Sequence, residues 1–212
     1  MKMGVARARY LATADVAVEL IVAGEVAPAW DRPSVLDELP TGGLAAHLAR
    51  SVLQVEWYLD APVPDRDPIT AAAYYARLEG ANDLRSPLNT GVRERSLETA
   101  EEGPTALARR TREALQRLRQ RLLAEPTDRR LEAFGRILLL DEYLRTRLVE
   151  LVVHIEDLAL SLGVEPPDVP LDAQRDAIAV LVDAAVLRHG APEVLHALTR
   201  RERDPFEALR VL

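Results

Sequence analysis

Glu150 and His154 stand four residues apart in Arg147-Leu-Val-Glu-Leu-Val-Val-His-Ile-Glu-Asp157, a segment whose apolar spacing predicts a helix. Side chains four apart leave a helix on one face, one turn from each other. His47, in Gly43-Leu-Ala-Ala-His-Leu-Ala-Arg50, lies far away in sequence on a second helical segment. Two imidazoles and a carboxylate are the ligand types of an open catalytic zinc site, with water or substrate in the remaining position. No other combination of residues in this chain points to chemistry.

The elements that must position these residues carry a pattern of their own. On a wheel for Asp141 to Leu162, Leu144, Leu148, Leu151, Ile155 and Leu162 form one apolar stripe, and Val149, Val153 and Leu160 a second. Between them run Tyr143, Arg147, Glu150, His154, Asp157 and Ser161. A polar seam walled by apolar residues on both sides predicts a lined cavity, not a solvated face. The other segment repeats this: His47, Ser51, Gln54 and Tyr58 share a line flanked by Leu44, Leu48, Val52 and Val55. Two such seams facing each other would make one pocket inside a helical bundle.

The spacing alone leaves a plainer reading open. A histidine at the edge of an apolar face is more often a hydrogen-bonded core residue than a ligand, and Arg147, Glu150 and Asp157 would also suit a salt-bridged helix surface. His189 and His196 fall in an arginine-rich tail with Arg188, Arg200, Arg201 and Arg203 and read as surface residues. Glu101-Glu102 and Arg109-Arg110-Thr-Arg112 read as solvated helix faces.

Composition bounds the classes. A chain of 212 residues can bury a full core, and one domain is the default. The net charge of −7 disfavours a general nucleic-acid role, and the first helices lack the basic recognition segment of a helix-turn-helix repressor. No apolar run is long enough to span a bilayer and no signal-peptide core follows Met1, so a soluble, intracellular (cytoplasmic) protein is expected. Cysteine is absent, which excludes disulfides, thiolate metal sites and a cysteine nucleophile. Lys2 is the sole lysine, at an end expected to fray, which disfavours a Schiff base.

Along the chain the periodicity predicts helices over Ala6 to Ala23, Thr41 (as N-cap) to Leu59, Ile69 to Glu79, Gly91 to Glu101, Pro104 to Ala124, Asp141 to Leu162, Leu171 to His189 and Pro192 to Arg201. Pro28, Pro33 and Pro40 punctuate an irregular connection, and Gly163 ends the central helix. Leu131 to Leu140 fits a strand or a helix start. The expected fold is all-α, four principal helices with short additions.

At these same residues the chain resembles a known family. Trp30-Asp-Arg-Pro-Ser34 followed by Leu39-Pro-Thr-Gly-Gly-Leu-Ala-Ala-His47, and then Asp141 to Leu158, are similar to the paired signatures of the mycothiol-dependent maleylpyruvate isomerase family, within the DinB/YfiT-like superfamily. The resemblance covers most of Ala6 to Gly163 and implies a DinB/YfiT-like bundle over residues 1–165, with residues 166–212 as a two-helix C-terminal extension packed on the same domain. It implies His47, Glu150 and His154 as ligands of a divalent metal, usually zinc, with nickel or manganese as alternatives. It also implies mycothiol as thiol cosubstrate and an actinobacterial host, which the arginine-rich composition fits. The wider superfamily often dimerises, so a homodimer is an expected assembly. The characterised isomerase carries a further C-terminal domain where this chain has two helices, so the metal site carries over and the substrate does not.

The resulting expectation is thiol transfer or isomerisation on a small electrophile. Arg147, Asp157 and Gln54 are the candidate catalytic residues, Asp157 or Gln54 orienting the histidines. Arg50, Arg147 and Tyr58 are the candidate residues for binding the thiol or an anionic group. A hydrolase activating water and a non-enzymatic ligand-binding bundle are the competing classes.

Overall fold

Each long segment has one apolar face at helical spacing and folds to bury it. The computed structural model describes residues 3–81, 83–200 and 208–211. In chain order the elements are α1 (Val5–Ile21), α2 (Val26–Ala29), α3 (Thr41–Asp60), α4 (Ala71–Ala76), α5 (Pro87–Ala100), α6 (Gly103–Ala124), β1 (Arg130–Ala133), β2 (Arg136–Leu139), α7 (Leu140–Leu162), α8 (Leu171–His189) and α9 (Ala191–Thr199). α6 shows the rule plainly: Leu107, Thr111, Ala114, Leu115, Leu118 and Leu122 are buried, while Arg109, Arg112 and Arg119 face water. α1, α3, α6 and α7 pack on one another as the expected all-α, DinB-like four-helix bundle. α8 lies against α1, α4 and α7.

Several boundaries differ from those the periodicity predicts. Leu131 to Leu140 resolves into an antiparallel hairpin, β1 pairing with β2 through Leu131↔Leu138 and Ala133↔Arg136. Phe134 and Gly135, with φ 53° and 72°, turn the chain back on itself in a two-residue loop that a continuing helix cannot contain. Ile69 is extended, not helical, bridging to Leu138, and α4 begins only after Thr70, whose side chain accepts from the Ala73 N–H. α5 starts at Pro87, before Gly91, because Ser86 caps it and proline suits the first turn. Thr41 does not cap α3; it is the first helical residue, and its hydroxyl lies 3.1 Å from the Arg32 carbonyl. The punctuated connection contains the single turn α2. At the end of α7 Gly163 has φ 71°, and the Val164 N–H meets the Ala159 carbonyl at 3.1 Å, a closure that favours glycine. Lys2, Arg201 and Arg203 lie outside the described residues.

Arg7 ties three ends together and had no sequence signal. It is 4 % exposed. Nε lies 2.7 Å from Asp141 Oδ1 in the first turn of α7, and its other nitrogens reach the carbonyls of Leu122, Glu125 and Pro126 at 2.6–2.8 Å. The C-terminal carbonyls of α6, unsatisfied by the helix itself, thus find a donor inside the fold. Removing a buried charged partner strands several acceptors, so Arg7→Ala should lower unfolding stability by about 3 kcal/mol. Arg109→Ala, which breaks an exposed pair with Glu113, should cost less than about 0.5 kcal/mol. Urea titration of both variants measures the contrast.

Candidate metal centre

The start of α3 is fixed by a close approach. The Trp30 ring lies against Gly42, where a Cβ would fall 2.5 Å from the indole, so a side chain there would displace the helix that carries His47. From this start α3 runs antiparallel to α7, and the two polar seams meet layer by layer. Tyr58 packs edge-on to Tyr143 at 5.4 Å, Gln54 Oε1 lies 3.4 Å from Arg147 Nη1, and His47 Nε2 lies 3.4 Å from Glu150 Oε2.

His47, Glu150 and His154 each offer one ligand atom, and these atoms lie within 4.8 Å of one another. His154 Nε2 is 3.6 Å from the same Glu150 oxygen that faces His47. The two imidazoles stand nearly perpendicular, with centroids 4.6 Å apart. All three side chains keep partial access to solvent, between 16 % and 18 % exposed.

The outer nitrogens explain the orientation. His154 Nδ1 lies 2.8 Å from Asp157 Oδ2, an acceptor, so Nδ1 carries the hydrogen. His47 Nδ1 lies 3.3 Å from Ser96 Oγ, and that hydroxyl already donates to the Val92 carbonyl at 2.8 Å. Ser96 can only accept from the ring, which assigns the Nδ1–H tautomer to His47 as well. Both Nε2 atoms then point at the centre, the arrangement by which outer partners orient metal-binding histidines. The Tyr75 hydroxyl backs the carboxylate, 3.0 Å from Glu150 Oε1 and 2.9 Å from the Thr146 carbonyl.

Charge follows geometry. Burial alone would raise Glu150, but the hydrogen bond from the charged His154 ring and the charge of Arg147 hold it well below the usual carboxylate range. Burial lowers His47, which stays neutral near pH 7. Burial also opposes charging His154, yet Asp157 and Glu150 outweigh it and push His154 up to about 9.

Of the residues expected at the site, Asp157 contacts a histidine and Gln54 does not. Gln54 bonds Arg147 one layer away. Arg147 is 6 % exposed, between the rings of Tyr143 and Phe134. Arg50 donates to the Arg95 carbonyl and Thr99 Oγ1 and lies over Trp57. The second apolar wall of the α7 seam is open at one end: Val149 is buried, but Val153 and Leu160 are 41 % and 52 % exposed. His189 and His196 are half-buried, not surface residues, each with one shielded ring nitrogen. Ser96, Tyr75 and Phe134 escaped the sequence reading. Nothing in the spacing of α5, the short α4 or the hairpin marks them.

A family model for the mycothiol maleylpyruvate isomerase N-terminal domain matches residues 11–159. The chain belongs to that family. The matched stretch carries both histidines, Glu150 and every residue that backs them, whereas α8 and α9 follow it. No curated protein and no solved structure matches significantly. The first histidine and the Glu-His pair come from different helices of the bundle, α3 and α7.

His154 generates a pH dependence in protein stripped of metal by chelation. Its folded value, about 9, lies above the ordinary value of 6.5, so the charged form favours the fold. That contribution is complete below about pH 6.5 and disappears as pH rises through about 9. Urea-unfolding stability of stripped protein should fall between about pH 7 and about pH 10, and Asp157→Asn should flatten the fall. A wild-type profile flat over this window would contradict the assignment.

Proposed function

We propose that this chain is a divalent-metal-dependent enzyme that uses an external low-molecular-weight thiol, mycothiol, for transfer or isomerisation on a small electrophilic substrate. The observation that carries the reading is the pair of Nε2 atoms converging on one Glu150 oxygen, with both Nδ1 hydrogens engaged behind them. His47, Glu150 and His154 would hold the ion, and nitrogen and carboxylate donors suit zinc first, with nickel or manganese next. The family match supports both the metal and the thiol. Lacking cysteine, the chain cannot provide a sulfur nucleophile itself. When bound, the ion supplies the Lewis acidity that keeps a thiol as thiolate near neutral pH.

The protein's own residues do the positioning. Asp157 holds the Nδ1 proton of His154, Ser96 accepts that of His47, and Tyr75 steadies the far oxygen of Glu150. One carboxylate and two neutral rings leave net positive charge at the centre, suited to an anionic sulfur. Arg147 and Arg50 place further positive charge beside it. Residues 1–165 constitute the metal-binding bundle in this reading, and residues 166–212 an extension on the same domain. The partners are small molecules, with no nucleic acid and no membrane. No described helix is long and apolar enough to cross a bilayer.

Elemental analysis should find one divalent ion per chain in the wild type and none in His47→Ala or His154→Ala. Asp157→Ala should weaken metal affinity about 10–100-fold. Because His154 must lose its proton to bind, zinc uptake at about pH 7 should release about one proton per ion, measured by calorimetry in buffers of different ionisation enthalpy. Zinc-loaded protein should then bind mycothiol. Loaded protein that neither binds it nor consumes any electrophile with it would overturn the thiol reading.

A further inference from the structure

Arg188, near the end of α8, directs its whole guanidinium at main-chain oxygens. Nη2 donates to the Tyr75 carbonyl at 2.8 Å and the Leu78 carbonyl at 3.2 Å, and Nε to the Ala76 carbonyl at 3.4 Å. Nη1 donates to the Val211 carbonyl at 2.9 Å. One side chain thus joins the C-terminal end of α4 to residues 208–211. Val211 is 3 % exposed and belongs to the core, with Leu209 partly buried against it. α8 and residues 208–211 both follow the stretch that the family model matches.

The position of Tyr75 makes that end of α4 important. α4 has six residues, too few to hold a helix without outside contacts. Its first turn is anchored by Thr70, whose side chain accepts the Ala73 N–H, and by Glu142, which accepts the Ala71 N–H. Tyr75 lies at the opposite end, one residue from the last. The final carbonyls of a helix need donors from elsewhere, and Arg188 supplies them. The Tyr75 ring is fully buried, and its hydroxyl stands 3.0 Å from Glu150 Oε1. A continuous chain of contacts therefore runs from Val211 through Arg188 and Tyr75 to the carboxylate that faces His47 and His154.

We infer that Arg188 is a positioning residue for Glu150, and that residues 208–211 set how firmly it acts. With Val211 seated, the guanidinium is held and the end of α4 with it, which fixes the Tyr75 hydroxyl behind the carboxylate. With Val211 unseated, that end of α4 loosens and Glu150 loses the donor that orients its far oxygen. Groups behind a metal ligand tune its affinity without touching the ion. As a statement about metal affinity the inference rests on the proposed metal reading. The mechanical link itself is readable in stripped protein.

Competition titration against a zinc chelator of known affinity tests it on wild type, Arg188→Gln and Val211→Asp, each kept well below its Tm. Both substitutions should weaken zinc about tenfold. In a Tyr75→Phe background neither should weaken it further by more than about twofold, because the route to Glu150 is already cut. A clamp that only stabilises the fold would lower the Tm and leave zinc affinity level, or weaken zinc equally in both backgrounds. Either result overturns the inference. If Arg188→Gln does not fold, Val211→Asp carries the same comparison. NMR of chelator-stripped protein gives a reading that needs no metal. Both substitutions should speed amide exchange from Tyr74 to Leu78 and shift the ring resonances of His47 and His154. Rings that do not move overturn the inference, with or without zinc. Wild type that takes up no zinc but shows the shifted rings in its variants would sink the metal reading and leave this one standing.

Discussion

Burying a carboxylate beside two imidazoles is costly unless its oxygens are matched, and Glu150 is enclosed by side chains from three helices, two of which donate to it. His47 comes from α3, Tyr75 from α4 and His154 from α7 itself. Each of these helices must hold its place for the charge to be tolerated. α4 is the weakest of them, six residues that could not persist alone. Glu142 accepts the Ala71 N–H at 2.6 Å at one end of it, and Arg188 of α8 gathers the Tyr75, Ala76 and Leu78 carbonyls at the other. The helix pair that follows the family match is therefore linked through Arg188 and Tyr75 to the central carboxylate.

The positive charge beside the centre follows a different logic. In most of this protein arginines face acids across helix surfaces, as Arg117 meets Glu56 and Arg121 meets Asp60 between α6 and α3. Arg147 is instead held by rings and by neutral oxygens. Those contacts shield a guanidinium without neutralising it, so its field remains directed at Tyr58 and Glu150. The bundle thereby juxtaposes the His47, Glu150 and His154 cluster with a cation that has kept its charge available.

The helices and the juxtaposition of His47, Glu150 and His154 were legible because both rest on periodicity. Apolar spacing located α1, α3, α6, α7 and α8, and the i, i+4 relation of Glu150 and His154 identified the face that His47 must join. Contacts between distant segments that no spacing encodes were out of reach. Ser96 backs His47 only because α5 lies on α3, and Phe134 reaches Arg147 only because the hairpin turns above it. Gln54 was expected beside a histidine because the seam was read along one helix, whereas its partner is set by the register between two. The exposure of Val153 and Leu160 likewise depends on the packing of neighbouring elements, which one helix wheel does not contain.

The Tyr75 hydroxyl has one hydrogen and two acceptors within reach, Glu150 Oε1 and the Thr146 carbonyl. A buried phenol with one acceptor would lock the carboxylate, since any rotation would leave its proton stranded. With a carbonyl of α7 always beside it, Tyr75 can release Glu150 and remain satisfied. The carboxylate is thus free to present one oxygen or both toward its two histidines without the surrounding helices having to move.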